Sequence, residues 1–221
     1  MDLSAIITRT IAESPSDEKR HYIGASSIGN KCDRAIWYGF KGAESSKPSP
    51  SLKTTFDIGK RLESLLLDYM DEAGLYVVRP TADNNYLFLQ DAEVPLFQGH
   101  CDAILIMKDQ APAIVEIKTA NTASFSNFKS KGLLVWRENY YAQIQAYLGM
   151  KGYSRGVLLA IDKNTSELHH EWVVYDDIYY HQLRYKARAI AQCSEPPEKL
   201  NKNPIFYACN VCAYRRTCHV D

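Results

Sequence analysis

Residues 99–120, GHCDAILIMKDQAPAIVEIKTA, constrain this chain more than any other stretch. Two apolar runs lie close together, and each carries acidic residues where a buried strand should have none. Ala113, Ile114 and Val115 form the near-continuous apolar run expected of a central strand. A strand sends residues i and i+2 to the same face. Glu116 and Lys118 therefore share a face, and Ile117 points into the core. Charged groups at the end of a buried strand are costly unless they pair or bind an ion. Asp102, fourteen residues earlier, sits in the neighbouring strand and can bring a second carboxylate to the same place. Taken alone, E-x-K at a strand end reads as a salt bridge, so the surrounding sequence has to decide.

Two carboxylates on rigid strands make a hard-oxygen site suited to Mg²⁺ or Mn²⁺. A lysine beside them can orient or help deprotonate a water and offset phosphate charge. Metal, water and positive charge are what phosphodiester hydrolysis needs.

The rest of the chain supplies an α/β frame. Helices are expected over 3–13, 26–40, 54–73, 122–131, 136–151 and 176–193. Strands are expected over 75–79, 85–91, 96–107, 112–118, 155–162 and 168–174. Residues 14–24 and the Ser- and Pro-rich 42–53 read as connections. On the 54–73 helix, Phe56, Leu62, Leu65, Leu66, Tyr69 and Met70 are expected to form the apolar face, with Gly74 as the stop. The order predicts a mixed central sheet flanked by helices.

Two further motifs accompany the carboxylates. Gln143 and Tyr147 stand four apart on the 136–151 helix and share a face. Gly59-Lys60-Arg61-Leu62-Glu63 lies on the helix preceding the strands. Separately, each is bland: Tyr147 a core residue, Glu63 a solvated one. Together, D-x13-E-I-K, G-x3-E and Q-x3-Y resemble the PD-(D/E)xK nuclease superfamily, nearest to its RecB-like and lambda-exonuclease-like branches. The resemblance implies a restriction-endonuclease-like core. It implies metal ligation by Glu63, Asp102, Glu116 and the Ile117 carbonyl. It makes Lys118 the catalytic lysine, with Gln143 and Tyr147 beside the site. Glu63 in the first motif matches the lambda-exonuclease form. The superfamily's proline before the Asp is replaced here by Cys101. His100, two residues before Asp102, reads as structural more readily than as a ligand.

Six cysteines occur in 221 residues. The N-terminus has no basic start followed by an apolar core, so no secretory signal is expected and a cytoplasmic location (bacterial, archaeal or phage-infected host) follows. Clustered cysteines then favour metal over disulfides. Cys209, Cys212 and Cys218 form C-x2-C-x5-C, and Cys32 is the natural fourth ligand. Four thiolates suit zinc and iron–sulfur alike. One distant N-terminal Cys plus this tail resembles the iron–sulfur nucleases of the RecB-like group, which implies a [4Fe–4S] cluster, with Zn²⁺ as the alternative, stapling the tail to the N-terminal helices.

Net charge is zero, with 26 basic and 26 acidic residues, which argues against a protein that coats nucleic acid and leaves room for a local basic channel. Lys60, Arg61, Lys129, Lys131, Arg137, Arg155, Arg215 and Arg216 are candidate phosphate contacts. Trp37, Tyr38, Trp136, Tyr140 and Tyr141 are candidate stacking residues. The reading is one nuclease domain over 1–221, with its core over 54–193 and a four-cysteine subdomain formed by 26–40 with 204–219. The expected activity is that of a metal-dependent deoxyribonuclease, an exonuclease on single-stranded or end-containing DNA. Recombination, repair or CRISPR-adaptation proteins are candidate partners, and no membrane association is expected. The rival reading is a nuclease fold that binds DNA or a partner without cutting.

Overall fold

The computed structural model describes residues 1–14, 20–81 and 87–219. The N-terminal part holds α1 (Leu3–Glu13), β1 (Ile23–Gly24), α2 (Ala25–Ile28), α3 (Asp33–Phe40) and the long α4 (Pro50–Glu72). Strands β2 (Tyr76–Val78), β3 (Phe88–Gln90), β4 (Phe97–His100), β5 (Ala103–Ile106) and β6 (Ala113–Ala120) follow. Then come α5 (Thr122–Lys131), α6 (Leu133–Trp136), α7 (Glu138–Lys151), β7 (Arg155–Asp162), β8 (Leu168–Val174) and α8 (Asp177–Gln192). Short helices α9 (Tyr207–Asn210) and α10 (Arg215–His219) close the chain.

The main sheet has the order β2-β5-β6-β7-β8. Its pairings are antiparallel except β6–β7, which is parallel and bridged by the α5–α7 crossover. A smaller sheet has the order β1-β4-β3. The mixed α/β frame is therefore present, in two sheets rather than one. β6 is central, as its apolar sequence requires, with Ala113 through Ile117 all buried. Helix α7 is buried from Ala142 to Leu148 and packs with α5 on one face of the sheet, while α4 covers part of the other.

Several expected boundaries move. The strand expected over 96–107 is two strands in different sheets, and Asp102 lies in the break between them rather than in a strand. Alternation along a sequence carries no mark of a strand leaving one sheet for another. The 26–40 helix is interrupted at residues 29–32. There the Asn30 side chain accepts from the Cys32 N–H at 2.9 Å, a local turn that competes with helix. Gly29 is pressed against α7, where an added Cβ would lie 2.5 Å from the Asn139 Cα. Helix α4 begins at Pro50, inside the expected 42–53 connection, because Ser49 caps it, accepting from the Leu52 N–H, with proline in its first turn. Its buried face is Leu66 and Leu67, with Leu62 and Met70 packed alongside. Phe56, Leu65 and Tyr69 are exposed, contrary to the expected face. The expected 136–151 helix starts at Glu138 and is preceded by the separate turn α6. Part of the 85–91 strand, residues 85 and 86, lies outside the described residues.

Candidate active site

Glu116 stands mid-strand in β6 and is wholly buried. One carboxylate oxygen, Oε1, pairs with Lys118 Nζ. The other, Oε2, is buried without a hydrogen-bond partner among the described residues. Register places Ala103 opposite Val115, so Asp102, one residue back, falls beside Glu116. The Asp102 carboxylate accepts from the Ile117 N–H at 2.7 Å, which ties the break in the strand to β6. Glu63 arrives from α4, close enough to Asp102 and Lys118 for their charges to act on it. The sheet and α4 bring Asp102, Glu116, Ile117 and Lys118 side by side, with Glu63 within reach of their charges, although among the described residues no three His, Cys, Asp or Glu side chains are set to hold a metal ion.

The electrostatics are those of buried carboxylates that share one ammonium, Lys118. Burial, then the Asp102 charge, pushes Glu116 up to about 8, although Lys118 opposes the rise. Burial and the Asp102 charge push Glu63 up to about 7 against Lys118 and Lys60. Asp102 is raised by burial, with Lys118 and the Ile117 N–H pulling the other way. For Lys118, burial disfavours the charge, yet Glu116 and Asp102 outweigh it and hold the ammonium more firmly than usual. The Lys118 Nζ also lies 5.3 Å from the centre of the Tyr140 ring.

Gln143 and Tyr147 sit behind this group. Gln143 Nε2 donates to the Tyr147 hydroxyl at 3.0 Å, and that hydroxyl donates to the His100 carbonyl at 2.7 Å. The chain of bonds fixes the end of β4, two residues before Asp102. Gly99 has no room for a side chain: an added Cβ would lie 2.7 Å from Tyr147 Cε1. His100 itself is exposed, its ring against Phe88.

A groove of about 640 Å³ opens beside Glu63, Ile117 and Lys118, with Asp102 and Glu116 not among its lining residues. Of the proposed phosphate and stacking residues, Lys60 and Tyr140 line it. Others have structural duties: Trp136 stacks on Phe128, Trp37 donates to the Cys193 carbonyl, and Arg155 donates to the Ala111 carbonyl. Lys47, Lys53 and Phe56 border the groove and were not singled out from the sequence as nucleic-acid contacts. The signal was present as the spacing of Lys53, Phe56, Lys60 and Glu63, three, four and three apart, one stripe of a helix.

Residues 16–154 match the YqaJ-like viral recombinase domain. The chain belongs to this family. The expected kinship with the PD-(D/E)xK superfamily, on its lambda-exonuclease-like side, is borne out. Every residue of the carboxylate–lysine group, together with Gln143 and Tyr147, falls inside the matched span. The YqaJ-like domain is similar in fold to the alkaline exonuclease LHK-Exo from Laribacter hongkongensis. That pair has a TM-score of 0.58 at 15% identity, covering 78% of this chain and 87% of that one. It is similar to SSO0001, with a TM-score of 0.58 at 16% identity, covering 98% of this chain and 95% of that one. A phage-related exonuclease from Haemophilus somnus 129PT has a TM-score of 0.56 at 11% identity, covering 76% and 91%. No curated protein matches the sequence.

The tail cysteines Cys209, Cys212 and Cys218 lie beyond the matched span, as does Cys193. With Cys32 the three tail cysteines line a second cavity, of about 630 Å³. Burial pushes the Cys212 thiol up, and Cys32, Cys218 and Cys209 add to the rise. Among the described residues, no three His, Cys, Asp or Glu side chains stand together as a metal-holding group. The iron–sulfur site therefore is not formed as a ligand set here. What the structure does have is a docked tail. The Ser46 N–H donates to the Ala213 carbonyl at 2.8 Å, and Thr217 donates to the Glu44 carbonyl at 2.7 Å. Among the described residues, no helix is long and apolar enough to cross a membrane.

Proposed function

We propose that this YqaJ-like domain is a divalent-metal-dependent DNA exonuclease acting on single-stranded or end-containing DNA in recombination. One observation carries the reading: Glu116 is fully buried, with one oxygen on Lys118 and the other, beside Asp102, without a partner among the described residues. A buried, unpaired carboxylate oxygen is costly unless a ligand satisfies it. The elevation of Glu63, Asp102 and Glu116, led in each by burial, fits a site completed by a cation. The fold likeness to LHK-Exo and the Haemophilus exonuclease, and the family's description as viral recombinases, support DNA as the substrate.

In this reading Glu63, Asp102, Glu116 and the Ile117 carbonyl hold Mg²⁺ or Mn²⁺. The ion, when bound, lowers the pKa of its water and offsets phosphate charge. The chain's own residues do the positioning. Lys118 keeps its proton and places a positive charge where the attacking water and the phosphate oxygens meet. The Ile117 N–H aims the Asp102 carboxylate. Gln143 and Tyr147 hold the β4 end that delivers Asp102. The four-cysteine staple belongs to the same proposal: 26–40 with 204–219 forms a subdomain around the 54–193 core, with [4Fe–4S] or Zn²⁺ drawing the four thiols together. The convergence of those thiols on one cavity supports it.

The test is cleavage of 5′- and 3′-labelled single strands and duplexes with Mn²⁺. Wild type should cut, and Lys118→Ala should lose about 10²-fold or more, the scale of removing one charge-stabilising donor. Equal cutting by both would remove Lys118 from its role. No cutting by intact wild type would favour a non-cleaving binding module.

A further inference from the structure

Lys53, Phe56, Lys60 and Glu63 lie on one stripe of α4 and all four border the groove. The stripe runs from the helix's N-terminal half to the carboxylates. Its charge order is basic, aromatic, basic, acidic. Phe56 is the anomaly in it. The residue is 55% exposed on a groove wall that mixes lysines and acids with Ile11, Ala12 and Pro48, and it makes no ring–ring contact among the described residues. Leu52, Ile58, Leu65 and Tyr69 are also exposed on this helix, but Phe56 is the large apolar residue among them that borders the groove. Seven residues of helix set Lys53 and Lys60 roughly 10 Å apart along the axis, with Phe56 between them. The Lys53–Asp57 pair, at 3.2 Å, is exposed on the Asp57 side and easily exchanged for a phosphate.

The groove, of about 640 Å³, is large enough to receive a nucleotide-sized group, within the roughly 300–1,000 Å³ of small-ligand sites. An unpaired strand offers it a free base face beside each phosphate, which a base-paired strand keeps stacked inside the helix.

We propose that Phe56 is a base-stacking platform for single-stranded DNA, flanked by Lys53 and Lys60 on adjacent phosphates. The strand then reaches Glu63, Asp102 and Glu116 unpaired. This rests on the nuclease reading for its purpose, but its test needs no cutting.

Binding is measured in EDTA at low salt with two fluorescent probes of equal length, an oligothymidine and its abasic counterpart. Phe56→Ala should weaken the oligothymidine by about 5- to 150-fold, the reach of one stacked base. It should leave the abasic probe unchanged, and Phe56→Trp should keep wild-type affinity for both. Unchanged oligothymidine binding by Phe56→Ala would overturn the proposal. So would equal losses on both probes, which would make Phe56 a packing residue. A base-dependent loss with Phe56→Ala in a protein whose wild type cannot cut with Mn²⁺ would sink the nuclease reading alone, while no base-dependent loss in one whose wild type cuts would sink only this one.

Discussion

Glu116 shows how a single side chain couples the fold to the chemistry. It is buried like the valines and isoleucines around it, yet it carries an acid whose proton is held up to about 8. Glu63 behaves alike, up to about 7. A raised carboxyl favours the protonated form in the folded state. Its contribution to stability is therefore full below the ordinary carboxyl range and is lost as pH rises through the folded value. In chelator, the melting temperature should fall as pH rises from that range to about 8, and Glu116→Gln should flatten the fall. Mn²⁺ should reverse the slope, since cation and proton compete for the same oxygens. A melting temperature that is flat across this window in chelator would count against the crowded-carboxylate description. At this scale the sequence was legible for Glu116, Ile117 and Lys118, because a strand's period of two fixes their sides. It was misleading for Phe56, whose apolar character reads as core until the groove leaves it open.

Among the elements, α8 is anchored to the β3–β4 turn by a buried acid. Asp91, fully buried, accepts from Tyr180, from Arg184 Nε at 2.7 Å, and from the Glu93 and Val94 N–H groups at 2.8 and 2.7 Å. Burial alone would raise its pKa, but these donors together hold it below the usual carboxylate range. Its stabilisation is thus present above that range and lost in acid. Asp91→Ala would leave Arg184, Tyr180 and two amides without their acceptor. It should destabilise the fold by about 3–5 kcal/mol in urea unfolding, as breaking a buried pair does. A loss within experimental error would show that water replaces the acid freely. None of this network was legible beforehand. Asp91 stands near a turn in the sequence, where acids are ordinary, and its partners on α8 lie far along the chain. Helix α4 was better announced, through its apolar spacing and Gly74. Its start was missed because a proline and serines read as a connection and also as a helix N-terminus.

For the molecule as a whole, the question is what joins the two ends of the chain. The tail docks on residues 44–46 by hydrogen bonds to the backbone, and four thiols face one cavity. If a cluster completes the joint, anaerobically purified protein should be brown, with thiolate-to-iron absorbance, and Cys32→Ser should lose both colour and several degrees of melting temperature. A colourless protein with stoichiometric zinc would replace iron with zinc. One that carries neither metal would leave the tail held by its hydrogen bonds and by packing such as that of Tyr214 on Tyr38.

By itself the sequence determined what local geometry dictates. It determined the central β6, the shared face of Glu116 and Lys118, the pairing of Gln143 with Tyr147 along one helix, and the strands and helix of residues 155–192. These follow from periods of two and 3.6 and from capping residues, which operate within a few positions. Only the tertiary structure decided that residues 96–107 divide between two sheets and that Asp102 lies in the break, held by the Ile117 amide. It alone decided that Phe56 faces a groove rather than the core. Each of those outcomes depends on which distant segment fills the neighbouring space, and a local pattern carries no record of that.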